Sequence, residues 1–454
     1  MLHFIRKYTN SDTNHRYQNI PFAPVKKEQT YENLDVEGAI PKDLNGLYVR
    51  NGPNPAGEIS PYQHYFSGDG MVHGIYLKSG SAKWYRNRFV CAGEVPKKLG
   101  KSDLGGPVTG GLDVSPNTNI VAFDGQLYAT IEAGASMVAL SDLLETQGRS
   151  DLNGTLKFGF TGHHKIDPVD GDIHAVTYGQ KLGKNALYQR LTPQGRLKNS
   201  VKIPLTGMTQ IHDMAITENY AIILDMNVVF SLTTLLKTTL PIKWDENKEC
   251  RIGLVPKSGN AHDVRWFTID PSYAYHVMNA YETDKGDVVL DVSRYEYTSK
   301  HDMFGPLGDT PPSIYRYVLP VNNEVKHAGA QPVFNLPLDF PKINPYIEGR
   351  DYRYGYAVEA TLEPAFKRAA KLDFHKNTVL YQDFNGGMSS ELTFIPKGRE
   401  EDDGWLIGFV FQPELQRSRL VIMDARDFEA DPVASIWIPD QYVPIGTHGG
   451  WFPA

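Results

Sequence analysis

Of the fourteen histidines in this chain, four stand in distinctive surroundings: His163 in TGHHKIDP, His212 in QIHDMAIT, His276 in YAYHVMNAYE and His448 in PIGTHGGWFP. Each abuts a strand-like run. A lone histidine beside a strand is most often a hydrogen-bonded structural or surface residue, so context has to separate ligands from bystanders. Imidazole binds iron, zinc, copper and nickel alike, and four of them brought together would define a metal site without naming the metal. The four lie 49, 64 and 172 positions apart. No local motif joins them, and such spacing is compatible with separate elements that each point one side chain at a common axis. Two other conspicuous motifs read as backbone punctuation. RNGPNP, with Arg50, Asn51, Gly52 and Pro53, is a turn, and Gly68-Asp69-Gly70 lacks the strand-to-helix context of a phosphate loop.

The elements that must position these residues are strands. Short runs rich in Val, Ile, Tyr and Phe recur throughout, separated by Gly, Asp and Asn, and helical stripes are scarce. HGIYLKSGSAKWYRNRFV predicts a hairpin turning at Ser79-Gly80, and NIVAFDGQLYATIEA predicts one at Asp124-Gly125, dipeptides suited to positive φ. Further hairpins are expected near Asp170-Gly171 and Lys285-Gly286, and GWLIGFVFQPELQRSRLVIMDA pairs two apolar strands across a polar loop. No low-complexity linker and no repeat of fixed period divides the chain, so residues 1–454 are expected to form one all-β domain. Regular hairpins over this length suit a β-propeller, whose radial repetition shields strand edges. A sandwich is the alternative.

Bulk properties narrow the function. With 454 residues and 41% hydrophobic content the chain can bury a large core. A formal net charge of -7 argues against a nucleic-acid partner, which needs clustered Lys and Arg. The two cysteines, Cys91 and Cys250, form no metal or redox pair, which fits a reducing, cytoplasmic setting. Arg6 and Lys7 are followed by no apolar stretch long enough for a signal peptide, and no run reaches the ~18 apolar residues of a spanning helix. A soluble protein is expected.

Several segments, in order, resemble the carotenoid cleavage oxygenase family: NGLYVRNGPNP, HYFSGDGMVHGIYL, NTNIVAFDGQLYATIEAG, TGHHKIDPVDGDIH, IHDMAITENYAIILD, DVRWFTIDPSYAYHVMNAYE, SSELTFIP and VPIGTHGGWFP. The resemblance covers nearly the whole chain. It implies a seven-bladed β-propeller, with a cap of loops and short helices over one Fe(II) on the axis, held by His163, His212, His276 and His448. His164 stands where family members often carry proline. Adjacent side chains of a strand point to opposite faces, so only one of His163 and His164 reaches the axis, and His163 is assigned. The resemblance also implies carboxylates behind three of the ligands: Glu132, Glu391, and Asp339 where the family usually has glutamate. Aspartate is one methylene shorter, so either the backbone moves closer or a water bridges. Thr118 matches a threonine near an open iron position. His64, His73, His174 and His262 fall within the similar segments but not at ligand places and are read as scaffold.

The chemistry so implied is oxidative cleavage of a carbon-carbon double bond to two carbonyl products with O2 as co-substrate, with no side chain acting as acid or base. The protein fixes coordination, keeps the cavity dry and presents one bond of an apolar polyene. Relatives that cleave phenolic stilbenes carry lysine immediately before the residue matching Glu132. Here Ile131 stands there, as a tunnel residue favouring a carotenoid or apocarotenoid over a hydroxystilbene. Three alternatives share these motifs: a stilbene oxygenase, a retinoid isomerohydrolase, and a non-enzymatic propeller that keeps its histidines as relics. SLTTLLKTTLPIKW offers Leu232, Leu235, Leu236 and Leu240 beside lysines, either a peripheral membrane contact or a packed loop helix.

Overall fold

A hairpin needs a turn that matches the twist of its strands, and the predicted ones do. In the computed structural model, Ser79 and Gly80 have φ of 52° and 73°, and Asp124 and Gly125 have 50° and 77°. The structure describes residues 19–305, 309–361 and 366–454, so Arg6 and Lys7 lie outside the described residues.

Seven antiparallel sheets of four or more strands follow one another along the described residues, forming a seven-bladed β-propeller. Blade 1 holds Gly46–Arg50, Met71–Lys78 and Ser81–Phe89. Blades 2 to 6 begin at Asn119–Phe123, His164–Ile166, Ala215–Ile216, Tyr273–Glu282 and Leu338–Lys342. Blade 7 begins with Met388–Ser389 and Thr393–Pro396, both on Gly404–Gln412. A two-stranded ribbon, Val228–Phe230 with Ile242–Trp244, stands apart. Strands from early and late in the described residues close the ring. Gly449–Pro453 pairs with Gly46–Arg50 as the first strand of blade 1, and Asp35–Gly38 adds to Ala434–Trp437 as the last strand of blade 7.

The core is divided among the seams between blades. Because successive side chains of a strand face opposite ways, one strand feeds two seams. In Tyr220–Asp225 of blade 4, Ala221 and Ile223 pack toward blade 3, while Ile222 and Leu224 pack toward blade 5. Such strands are buried on both faces and read as continuous apolar runs rather than alternating ones. Seven clusters of this kind occupy the seven seams. Around the axis, several of the first strands pack directly against one another.

The remaining readings find plain structural places. Cys91 and Cys250 are both free and buried. His73 and His174 each bond a tyrosine across their blade, Tyr85 at 2.9 Å and Tyr188 at 2.8 Å, and His64 accepts the Phe66 N–H at the start of a short 3-10 turn. Arg50 is buried and donates to the Pro444 carbonyl, while Asn51 donates to the Pro116 carbonyl at 3.1 Å. No helix of the described residues is long and apolar enough to cross a membrane.

Candidate metal centre

Each of the four histidines sits at or just before the first strand of a blade. His163 precedes His164–Ile166, His212 precedes Ala215–Ile216, His276 lies within Tyr273–Glu282, and His448 precedes Gly449–Pro453. The ring therefore gathers residues that the sequence holds far apart. All four are buried, and one nitrogen of each lies within 4.8 Å of the others. Nε2 of His163 and Nε2 of His212 are 3.1 Å apart, and Nε2 of His276 and Nε2 of His448 are 3.2 Å apart. His164 is not part of the cluster; its ring leans on Phe160.

The other three blades face the axis with carboxylates. Glu132 follows Gln126–Thr130 of blade 2 and contacts His212 Nδ1. Asp339 Oδ1 accepts from His276 Nδ1 at 2.7 Å, and Glu391 Oε1 accepts from His448 Nδ1 at 2.9 Å. These bonds fix tautomer and ring plane. They also place the ring proton on Nδ1, so each Nε2 presents a lone pair. At 3.2 Å the His276 and His448 lone pairs face each other with no proton to share. Such an arrangement is repulsive unless a cation lies between them, and the donor set thereby fits a divalent metal.

Each carboxylate is held by a further donor. The Tyr178 hydroxyl bonds Glu132, the Tyr295 hydroxyl bonds Asp339 Oδ2 at 2.5 Å, and Lys342 lies 3.0 Å from Glu391. Burial opposes ionisation of Glu391, but Lys342 and His448 outweigh it and bring its pKa down to about 2. Burial pushes His448 down to about 4 against the pull of Glu391, and burial with the neighbouring imidazoles pushes His163 well below the usual histidine range. Both are neutral ligands near pH 7.

The shorter Asp339 is accommodated by the backbone. The strand pairing slips between Asp339 and Lys342, Phe340 adopts φ 53°, and the Phe340 N–H donates to Asp339 Oδ1 at 2.8 Å. The carboxylate reaches His276 directly. This bulge also lays the Phe340 ring over His276, with centroids 4.8 Å apart.

An aromatic cavity opens onto His212, His276 and His448, walled by Phe22, Tyr65, Phe66, Tyr275, Phe340 and Phe366. Tyr65 and Phe66 come from the short 3-10 turn Tyr65–Ser67, and Phe22 from the N-terminal segment. Thr118 is buried at the start of blade 2, and its carbonyl accepts the His448 N–H at 3.1 Å. Its methyl group packs so closely on Gly162 that a Cβ there would stand 2.6 Å from it. Thr118 and the half-buried Ile131 are not among the residues lining the cavity. Leu232 and Leu236 lie on the 3-10 turn Leu232–Leu236 and are 79% and 37% exposed, whereas Leu240 packs partly buried against the core. Leu235 is half-buried. Sequence reading missed Tyr178, Tyr295, Lys342 and the Lys165–Asp213 pair; of these only Asp213, next to His212, stood beside a ligand in the sequence.

The family model of the retinal pigment epithelial membrane protein, RPE65, matches residues 22–453. A carotenoid cleavage oxygenase of Mycobacterium tuberculosis is 34% identical, covering 95% of this chain and 96% of its own. Among solved structures, cobalt-substituted Synechocystis ACO superposes with a TM-score of 0.83 at 27% identity, covering 95% of this chain and 97% of its own. A Pseudomonas brassicacearum lignostilbene dioxygenase superposes with a TM-score of 0.84 at 24% identity and the same coverage, a likeness of fold alone. Other curated relatives are named carotenoid cleavage dioxygenases. The chain belongs to the RPE65 and carotenoid cleavage oxygenase family. It is a dioxygenase with a four-histidine site.

Proposed function

We propose that this protein holds one Fe(II) through His163, His212, His276 and His448 and cleaves a carbon-carbon double bond of a carotenoid or apocarotenoid, with O2, to two carbonyl products. The observation that carries this reading is the pair of mutually facing Nε2 lone pairs of His276 and His448, each locked by a carboxylate, at the floor of an aromatic cavity. A bound ferrous ion would supply a site for O2 and the electrons to begin its reduction. The chain's own residues do the rest. Glu132, Asp339 and Glu391 hold the ring protons on Nδ1 and keep Nε2 free. Rings of Phe66, Tyr275, Phe340 and Phe366 exclude water and offer faces against which a conjugated polyene lies flat. The Thr118 carbonyl fixes the backbone of His448, while its methyl packs against Gly162 beside His163.

The substrate class rests on the 34% identical carotenoid cleavage oxygenase; Ile131, half-buried and outside the cavity lining, adds only that no lysine stands at that position to pair with a phenolate. Exposed Leu232 and Leu236 support a peripheral contact with the membrane from which a carotenoid is drawn, by an otherwise cytoplasmic protein. Incubation of the Fe(II)-loaded protein with β-apocarotenals and, separately, with hydroxystilbenes tests the reading. Loss of colour with paired carbonyl products from the apocarotenal is expected. Turnover of stilbenes alone would reject the substrate class, and turnover of neither would reject the activity.

A further inference from the structure

Three of the four histidines have a carboxylate on the remote ring nitrogen, and His163 does not. Asp213 Oδ1 stands 4.0 Å from the His163 Nδ1, beyond a direct hydrogen bond. Asp213 is itself buried and held by several donors. Oδ1 accepts the Met214 N–H at 2.7 Å, and Oδ2 accepts the Val277 N–H at 2.9 Å. Lys165, itself largely buried, places Nζ 3.3 Å from the same carboxylate. The sequence positions of these partners give the contacts their meaning. Asp213 follows His212, Val277 follows His276, and Lys165 lies two residues beyond His163, in the strand that His163 leads into. One carboxylate thus joins the first strands of blades 3, 4 and 5 at the points where each delivers its histidine.

We propose that Asp213 is a positioning residue of the metal centre, fixing the strands that carry His163, His212 and His276 relative to one another and supplying the negative charge that His163 lacks as a direct partner. This rests on the four-histidine reading of the site. Lys165 is part of the device: it balances the buried carboxylate and anchors the His163 strand to it through a charge-assisted bond. Two backbone donors and one cation on a single carboxylate leave it little freedom, which is what a residue that sets ligand geometry requires.

A buried carboxylate also stabilises a fold, so the test needs a matched control. Asp225 in blade 4 is equally buried, lies 2.7 Å from the buried Lys248 and 2.9 Å from Arg251, and bonds Thr209 and Thr206 in the segment leading to His212, but it forms no bond to a histidine or to blades 3 and 5 among the described residues. Asp213→Asn and Asp225→Asn would each be loaded with Fe(II) and, in parallel, with Co(II). Release of the metal to a chelator, the visible spectrum of the Co(II) form and the melting temperature of the metal-free chain would be recorded. Asp213→Asn is expected to lose metal roughly 10 to 100-fold faster than wild type, as losses behind a ligand do, and to shift the Co(II) spectrum. Asp225→Asn should lower the melting temperature without either effect. The double variant Asp213→Asn/Lys165→Met removes the stranded lysine charge and keeps the chain folded should the single variant fail; fast metal release is expected from it too. Metal release and spectrum unchanged in both Asp213 variants, or no different from Asp225→Asn, would overturn the proposal while leaving the four-histidine reading intact. A wild-type chain that takes up neither metal would overturn that reading, and this proposal with it.

Discussion

At the scale of single residues, the site is set by what stands behind each ligand. Glu391 is ionised because Lys342 and His448 outweigh the cost of its burial. Glu391→Gln keeps the shape but turns an acceptor edge into an amide, and metal retention is expected to fall roughly 10 to 100-fold, read as chelator-driven release. Unchanged retention would separate Glu391 from the metal's support. Asp339 is the instructive case. From the sequence alone, restoring the family's longer glutamate is expected to be tolerated or mildly beneficial. The direct contacts at 2.7 Å to His276 and 2.5 Å to Tyr295 reverse that expectation, because an added methylene has no gap to enter. Asp339→Glu is expected to destabilise by about 1–3 kcal/mol, the usual cost of overpacking, measured by chemical denaturation of the metal-free protein. Stability at or above wild type would show that the bulge at Phe340 yields readily.

At the scale of elements, close approach of first strands is what lets the histidines meet. Gly162 is small because Thr118 fills the space its Cβ would take, with the Glu132 side chain next nearest at 3.1 Å. Gly162→Ala should push His163 from its place and weaken metal retention. Pairing it with Thr118→Ser, which removes the crowding methyl, should restore part of the loss in a double-mutant cycle. Strict additivity would mean that the two side chains do not compete for that space. Strands and turns were legible in the sequence for plain reasons. The dipeptides Ser79-Gly80 and Asp124-Gly125 carry positive φ, and β-branched runs have few other uses. The bulge at Asp339 to Lys342 was not legible, since a slip in register depends on the partner strand and leaves no local signal. Nor were Tyr178, Tyr295 and Lys342, which act through contacts between residues 46, 44 and 49 positions apart, respectively.

At the scale of the whole molecule, the ring must close for the site to exist. His448 reaches the axis only because Gly449–Pro453 completes blade 1 against Gly46–Arg50. Removing residues 449–454 is therefore expected to lower the melting temperature by more than any single substitution above and to abolish metal uptake. A chain so shortened that melts like wild type would show the closure to be dispensable. The exposed turn with Leu232 and Leu236 lies outside this closed frame. Leu232→Asp with Leu236→Asp should reduce sedimentation with liposomes several-fold while leaving turnover of detergent-dispersed substrate unchanged; equal sedimentation would assign the turn no membrane role. The central claim, that four distant imidazoles share one ferrous ion, is tested most directly by anaerobic iron titration of wild type beside the four single His→Ala variants. One Fe(II) per wild-type chain, with uptake lost in every variant although each remains folded, is the predicted result. Undiminished binding after removal of any one of the four, or preferential binding of zinc in a closed shell, would contradict it.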